Sequence, residues 1–379
     1  MSRYKSPISE LLTKNQTSIY YEKIARTLYQ VQLRLHVIPQ PVPAIPKTQV
    51  SVEAWEHHEQ QLNHEVAAWV AAWREYLPKE VRPYTYMGLT SSNMIDTARA
   101  LEAQTISATL DRQVSTLVTE IDLKTHRFRD HYREGRTHGQ LAYPVPMTLV
   151  YDRACRDLYD MMDRVHQSLP MGALSGPTGN PHPVVLSAAV RHQTAAELGV
   201  SIDDLASQVA SRVHFQAWCQ AVYNLLAVCE QLATYHRLES IAGIDRFREG
   251  FRQGVQKGSS SMPHKRNPAR SERICGLARV ARGHLHALSE SATTLWWERD
   301  LSNSSTERLS YYGLVEIVSF ALQEMIDIIR DSEITPPLSI PEVARTSDRL
   351  INAQLRGEDP DEAYYRIQSA HLGEGGDDA

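Results

Sequence analysis

Apolar residues recur along this 379-residue chain with the period of an α-helix, over runs much longer than a single globular helix needs. Ile106, Leu110, Val114, Leu117 and Ile121 step by 4, 4, 3 and 4. Phe215, Cys219, Val222, Leu226, Cys229 and Leu232 keep a similar period, as do Leu314, Val318, Leu322, Met325 and Ile329. Residues 3.6 apart share one helix face, so each run marks a buried stripe several turns long. Segments near 145–168 and 270–297 read the same way, and alternating strand-like runs are nearly absent. The pattern predicts an all-α protein with a long central bundle of about five helices. It predicts domains over 1–88 (N-terminal, helical), 89–332 (the bundle) and 333–379 (short, helical). Helices of about 25–30 residues exceed the usual 11–12. Apolar residues on a further face, including Leu295, Trp296 and Trp297, imply that a second face is buried against another subunit.

Composition excludes several classes. The chain is 42% hydrophobic and 22% charged, with a formal net charge of −5. No basic excess or run of like charge points to nucleic acid. No apolar run reaches the ~18 residues that a membrane span needs. The first residues lack the apolar segment of a signal peptide, so a cytoplasmic location is expected. Cys155, Cys219, Cys229 and Cys275 form no C-x-x-C pair and read as small buried hydrophobes. His57, His58 and His64 lack metal-ligand spacing, and neither metal nor cofactor is expected.

Chemistry concentrates at 258–268, Gly-Ser-Ser-Ser-Met-Pro-His-Lys-Arg-Asn-Pro. The segment closes a long glycine-bearing connection that begins at Gly243, and long connections are commonly functional. Gly258 permits close backbone approach. The serines offer hydroxyls and N–H groups, and Pro263 fixes a turn. Lys265 and Asn267 suit a carboxylate, and Pro268 is placed to open the next helix. A phosphate-binding G-x-x-x-x-G-K-[ST] loop is absent.

This segment carries the shared G-S-S-x-M-P-x-K-x-N-P pattern and resembles the fumarase/aspartase lyase superfamily. Gly88–Asn93 (Gly-Leu-Thr-Ser-Ser-Asn) and Gly135–Gln140 (Gly-Arg-Thr-His-Gly-Gln) resemble its first and second shared regions, in the right order. Trp296–Arg308 (Trp-Trp-Glu-Arg-Asp-Leu-Ser-Asn-Ser-Ser-Thr-Glu-Arg) and the run from Arg3 to Leu12 resemble the adenylosuccinate lyase branch in particular. The resemblance covers about residues 3 to 368.

It implies an anti β-elimination that releases fumarate. Ser259 would be the general base, its alkoxide stabilised by loop amides and Lys265. Lys265 and Asn267 would hold the carboxylate as charge builds on it. His138 would be the general acid at the leaving nitrogen, and His64 would assist. Thr90, Ser91, Thr137 and Gln208 match positions for the succinyl part. Arg3, Tyr4, Arg273, Arg299, Ser304 and Arg308 match positions for the nucleotide phosphate and its surroundings. If Ser304 begins a helix, one phosphate meets Arg299, a hydroxyl and a helix N-terminus. The branch is homotetrameric, with active sites shared between subunits. The motifs, read as lying on separate long helices, fit that arrangement.

Three departures keep the substrate open. Asn63 and Glu65 flank His64 where the branch often has Arg and Asp. Tyr143 is large for its place near His138. Only 71 residues follow Arg308, where the branch usually carries a longer final helical domain. A specialised relative releasing fumarate from another N-substituted aspartate, such as nitrosuccinate or argininosuccinate, is the alternative. A non-catalytic homologue is disfavoured by the joint presence of Ser259, Lys265, Asn267 and His138.

Overall fold

The computed structural model describes residues 4–373. Its elements run α1 (Lys14–Arg34), α2 (Val52–Leu62), α3 (Glu65–Glu75), α4 (Ser91–Thr125), β1 (Tyr132–Thr137), β2 (Gln140–Pro146), α5 (Leu149–Gln167) and α6 (Ala188–Leu198). They continue with α7 (Arg212–Glu239), β3 (Phe247–Arg248), α8 (Ala269–Thr293), α9 (Ser302–Asp331), β4 (Glu333–Ile334), α10 (Thr346–Leu355) and α11 (Pro360–Gly373). The architecture is all-α. Among the described residues, strands form only two small antiparallel pairs, β1–β2 and β3–β4. Five long helices, α4, α5, α7, α8 and α9, have 35, 19, 28, 25 and 30 residues. Every residue of the three apolar stripes is at most 6% exposed. Of the cysteines, Cys219, Cys229 and Cys275 are buried, Cys155 is half-buried, and none forms a disulfide among the described residues. Burial pushes the Cys155 thiol up to about 11 and that of Cys229 to about 12, so neither supplies a thiolate at neutral pH. No described helix is long and apolar enough to cross a membrane.

Two local expectations are corrected. Trp296 and Trp297 do not lie on a helix face. α8 ends at Thr293, and the tryptophans fall in the following connection, 70% and 90% exposed. The hydroxyls of Thr293 and Thr294 both donate to the Glu290 carbonyl at 2.9 Å, crowding an acceptor that the Thr294 N–H also uses at 3.2 Å as the last ladder bond. The 135–140 motif also lies off the helices, on the β1–β2 hairpin. His138 and Gly139 both have positive φ, 54° and 79°, between the paired residues Thr137 and Gln140. Two successive left-handed residues make the turn whose twist suits a hairpin. Pro144 and Pro146, in β2, bar a helix.

Backbone contacts divide the chain into two units. The first comprises 1–117, 157–230 and 273–326, and the second comprises 118–156, 231–272 and 327–379. In the first, Trp55, Trp69 and Trp73 are fully buried around Tyr21, with Trp69 and Trp73 stacked at 5.3 Å. Each buried indole N–H finds an acceptor: Glu65 O, Ser18 Oγ and Thr48 Oγ1. An aromatic core of this size is stable only when such donors are satisfied. Between α4 and α9, Gln113 Nε2 donates to Ser319 O at 2.9 Å, and Ser319 Oγ donates back to Gln113 Oε1 at 2.8 Å.

In the second unit, buried Arg246 ties the hairpin to the end of α7 by pairing with Glu134 and with Glu239. The hairpin's outer side is fastened to α10, where Tyr143 Oη donates to Asp348 Oδ1 at 2.7 Å. Tyr143 therefore serves as a strut between hairpin and C-terminal helices, which gives its size a use.

Candidate active site

The second unit carries the proposed proton-transfer and carboxylate-binding residues. His138 stands exposed at the first position of the hairpin turn, with Thr137 just before it. In the loop before α8, Ser259 Oγ accepts hydrogen bonds from the backbone N–H of Met262 at 3.1 Å and of Ser261 at 3.4 Å. These donors aim at the atom that would carry alkoxide charge, and N–H dipoles so placed favour the ionised form. The loop then doubles back. Lys265 N donates to Met262 O at 3.0 Å, and Asn267 Nδ2 donates to Gly258 O at 3.4 Å. The side chains of Lys265 and Asn267 remain exposed. Pro268 precedes α8 and accepts the Glu272 N–H at 3.0 Å, while Glu249 accepts the N–H groups of Arg270 and Ser271. The loop is thus anchored at its C-terminal end by a capped helix.

The doubling back explains Gly258. A Cβ built there would lie 2.2 Å from the Lys265 carbonyl oxygen, a backbone atom that cannot swing aside. Gly258→Ala is expected to displace the loop and lower turnover by about 100-fold, the cost of a misplacement near 1 Å. Unchanged circular dichroism and melting would accompany the loss. Turnover within about twofold of the parent would show that the doubled-back geometry is dispensable.

The first unit holds a cavity of about 300 Å³. Its lining includes Arg299, Ser304 and Arg308, with Lys14, Asp96, Arg99, Glu102 and Glu307. Thr90 and Asn93 cap α4 reciprocally: Thr90 Oγ1 accepts the Asn93 N–H, and Asn93 Oδ1 accepts the Thr90 N–H. Gln208 joins two motifs. Its side-chain oxygen accepts from Ser92 Oγ at 3.2 Å, and its backbone N–H donates to Glu298 O at 3.1 Å. Ser91 Oγ lies 3.4 Å from His64 Nε2. α9 begins at Ser302, which puts Ser304 in its first turn, and Arg308 Nε donates to Ser304 Oγ at 3.4 Å.

Beneath these residues runs a buried ionic network that the sequence reading passed over. Arg212 grips Asp96 through both terminal nitrogens at 2.9 and 3.0 Å and donates to Glu307 at 2.7 Å. Arg99 pairs with the other Glu307 oxygen. Asn303 bridges Glu307 to Arg299, donating to the first and accepting from the second, each at 2.7 Å. Two arginines hold the Glu307 carboxyl below the usual carboxylate range despite its burial. Arg299 itself is half-buried, and no carboxylate pairs with it among the described residues. Burial, and next Arg212, pull its pKa down while Asp96 and Glu307 push it up. The hydrogen-bond acceptors it holds, Asp300 O and Asn303 Oδ1, are both neutral, so an arriving anion would be its first directly paired negative charge. A signal was present. Asp96, Arg99 and Glu102 repeat every three residues, interleaved with the apolar Ala98, Ala100, Leu101 and Ala103, which places three ionisable groups on neighbouring turns of a helix that is apolar there.

Glu102 is 3% exposed, and burial outweighs the attraction of Arg99, raising its pKa to about 7. A carboxyl whose pKa is higher folded than unfolded adds stability below about pH 4.3 that disappears as pH climbs to about 7. Glu102→Gln removes that titration. The variant's gain in stability over the parent is expected to be larger at pH 8 than at pH 4.5 in urea unfolding. A gain independent of pH would show that Glu102 is ionised in the folded chain.

Not all matched positions come together. Tyr4 packs edge-on against Phe320 at 5.3 Å, and Arg273 pairs with Glu324 at 2.9 Å. At 1.5 Å rise per residue, Phe320 and Glu324 are about 18 and 24 Å along α9 from Arg308. Within one chain, Tyr4 and Arg273 therefore stand apart from Arg299, Ser304 and Arg308. Arg3 lies outside the described residues. No cluster of three metal-ligating side chains occurs among the described residues.

These long helices and their motif-bearing ends define a helical lyase. The model of a family described as lyase matches residues 44–283, and the chain belongs to that family, within the fumarase/aspartase superfamily. Adenylosuccinate lyase of Synechocystis is 34% identical over 287 residues, 73% of this chain and 64% of that protein. The Helicobacter pylori adenylosuccinate lyase is 30% identical over 85% of this chain and 73% of its own length. The chain thus spans just under two thirds of the Synechocystis protein it matches. Solved structures share the fold. A fumarate lyase from Mesorhizobium has a TM-score of 0.77 at 16% identity, covering 98% of this chain and 88% of its own. A 3-carboxy-cis,cis-muconate lactonizing enzyme from Pseudomonas putida has a TM-score of 0.79 at 17% identity, covering 97% and 86%.

Proposed function

We propose that the protein is a carbon–nitrogen lyase that cleaves adenylosuccinate, and the related succinyl-carboxamide ribonucleotide, to fumarate and the free amine, AMP in the first case. Ser259, as alkoxide, takes a proton from the carbon next to a carboxylate. Lys265 and Asn267 hold that carboxylate while it carries the extra charge. The carbon–nitrogen bond then breaks, its electron pair leaves with nitrogen, and His138 supplies the proton there. His64 and Ser91 sit at the succinyl end. Arg299, Ser304 and Arg308 receive the phosphate. The guanidinium of Arg299, which lines the cavity with no carboxylate paired to it among the described residues, carries the choice of a phosphate-bearing substrate, and the 30–34% identical adenylosuccinate lyases support it.

The separation of Tyr4 and Arg273 from Arg308 along α9 favours an assembly in which one chain supplies one set and a neighbour the other. A cytoplasmic homotetramer with shared sites meets that need. A second reading, elimination from an N-substituted aspartate without phosphate, draws on the pairing of Arg308 with Glu65, which spends part of the phosphate end's positive charge. Incubating the purified chain with adenylosuccinate, argininosuccinate and nitrosuccinate, and measuring fumarate, separates the two. Release from adenylosuccinate is the expected result. Release only from a phosphate-free substrate overturns the first reading.

A further inference from the structure

The first unit's cavity contains an ion pair in which one member, Glu65, has no part in the proposed chemistry. Arg308 Nη2 bonds Glu65 Oε2, and Tyr21 Oη donates to Glu65 Oε1 at 3.3 Å. Glu65 is the first residue of α3 and follows His64. His64 caps α3 by accepting the Ala67 N–H on Nδ1 at 3.3 Å, and its Nε2 lies 3.4 Å from Ser91 Oγ. A line of side chains therefore runs Ser304–Arg308–Glu65, passes along the backbone to His64, and ends at Ser91. It joins the phosphate end to the succinyl end.

Glu65 presents a carboxylate to the guanidinium that a phosphate needs. Both anions use the same forked donors, so they compete for Arg308. The two side chains are 48% and 19% exposed. A pair this accessible is weak, and a dianion can displace it. The freed carboxylate remains at the N-terminus of α3, where the helix dipole favours a negative charge. Any shift of that first turn moves the adjacent His64.

We propose that Glu65 is a positioning residue: it occupies Arg308 in the empty site, and its release by the arriving anion lets the first turn of α3 carry His64 from its contact with Ser91 towards the bound substrate. The proposal rests on the phosphate-bearing substrate proposed above. The test uses the full chain as wild type, Glu65→Asp and Glu65→Gln, with folding checked by circular dichroism. Inorganic phosphate binding is measured by calorimetry, and kcat and KM are measured with adenylosuccinate. Both variants are expected to bind phosphate about three- to tenfold tighter, since the internal competitor is shortened or neutralised. KM should fall together with kcat, because the signal to His64 is lost while binding improves. Glu65→Asp keeps the charge, so tightening in both variants assigns the effect to the contact. Phosphate affinity indifferent to Glu65, or tighter binding with unchanged kcat, overturns the proposal alone. Absence of phosphate binding in the wild type overturns the phosphate-substrate reading and this proposal with it.

Discussion

Replacing Ser259 with alanine is expected to lower fumarate release by about 10²–10⁴-fold, the contribution of a positioned proton-transfer group. The reason is local. Two backbone N–H groups, from Ser261 and Met262, converge on Ser259 Oγ and favour its ionised form, and alanine leaves them nothing to stabilise. Because the loop is at the surface, unfolding free energy should change by less than about 0.5 kcal/mol. Single-turnover kinetics with adenylosuccinate would place the loss in the chemical step, with substrate affinity retained. Retention of more than about a tenth of parental turnover would remove Ser259 from the role of base.

The second large effect concerns stability. Glu307→Ala leaves the buried Arg99 and Arg212 to share the single carboxylate of Asp96, and also frees the Asn303 amide. Removing one partner of a buried pair costs about 3–5 kcal/mol, because an uncompensated charge stays behind. Urea unfolding at pH 7 measures this. The pH dependence has a definite sign. The folded-state pKa of Glu307 lies below the unfolded one, so its contribution is full above the unfolded carboxylate pKa and is lost as pH falls through the folded value. The gap between parent and variant should therefore narrow in acid. A destabilisation under about 1 kcal/mol at pH 7 would mean that water, not Glu307, compensates the arginines.

Ser259 lies in a loop that leads into α8 and Glu307 on α9, and the parts of the fold that place them were unequally legible in the sequence. The stripes through Ile106, Leu226 and Val318 were plain, because one period repeated over many turns admits only a helix buried along a face. The 258–268 segment was also plain, since its mixture of glycine, hydroxyls, prolines and cations has no use in a core. The hairpin was hidden. Its turn depends on left-handed His138, a conformation few residue types announce. The Trp296–Trp297 pair was misplaced because hydrophobicity alone does not report where a helix stops.

The sequence by itself determined the helices, the lyase family motifs and which side chains are the candidates for acid, base and anion binding. These are properties of short segments, where spacing and residue chemistry suffice. Only the tertiary structure decided which charges answer one another. Arg99 meets Glu307 across 208 positions, Arg212 meets Asp96 across 116, and Arg308 meets Glu65 across 243. Ion pairing depends on distance in space and on shared burial, and a linear pattern encodes neither. That pairing left Arg299 as the guanidinium without a paired carboxylate among the described residues of the cavity.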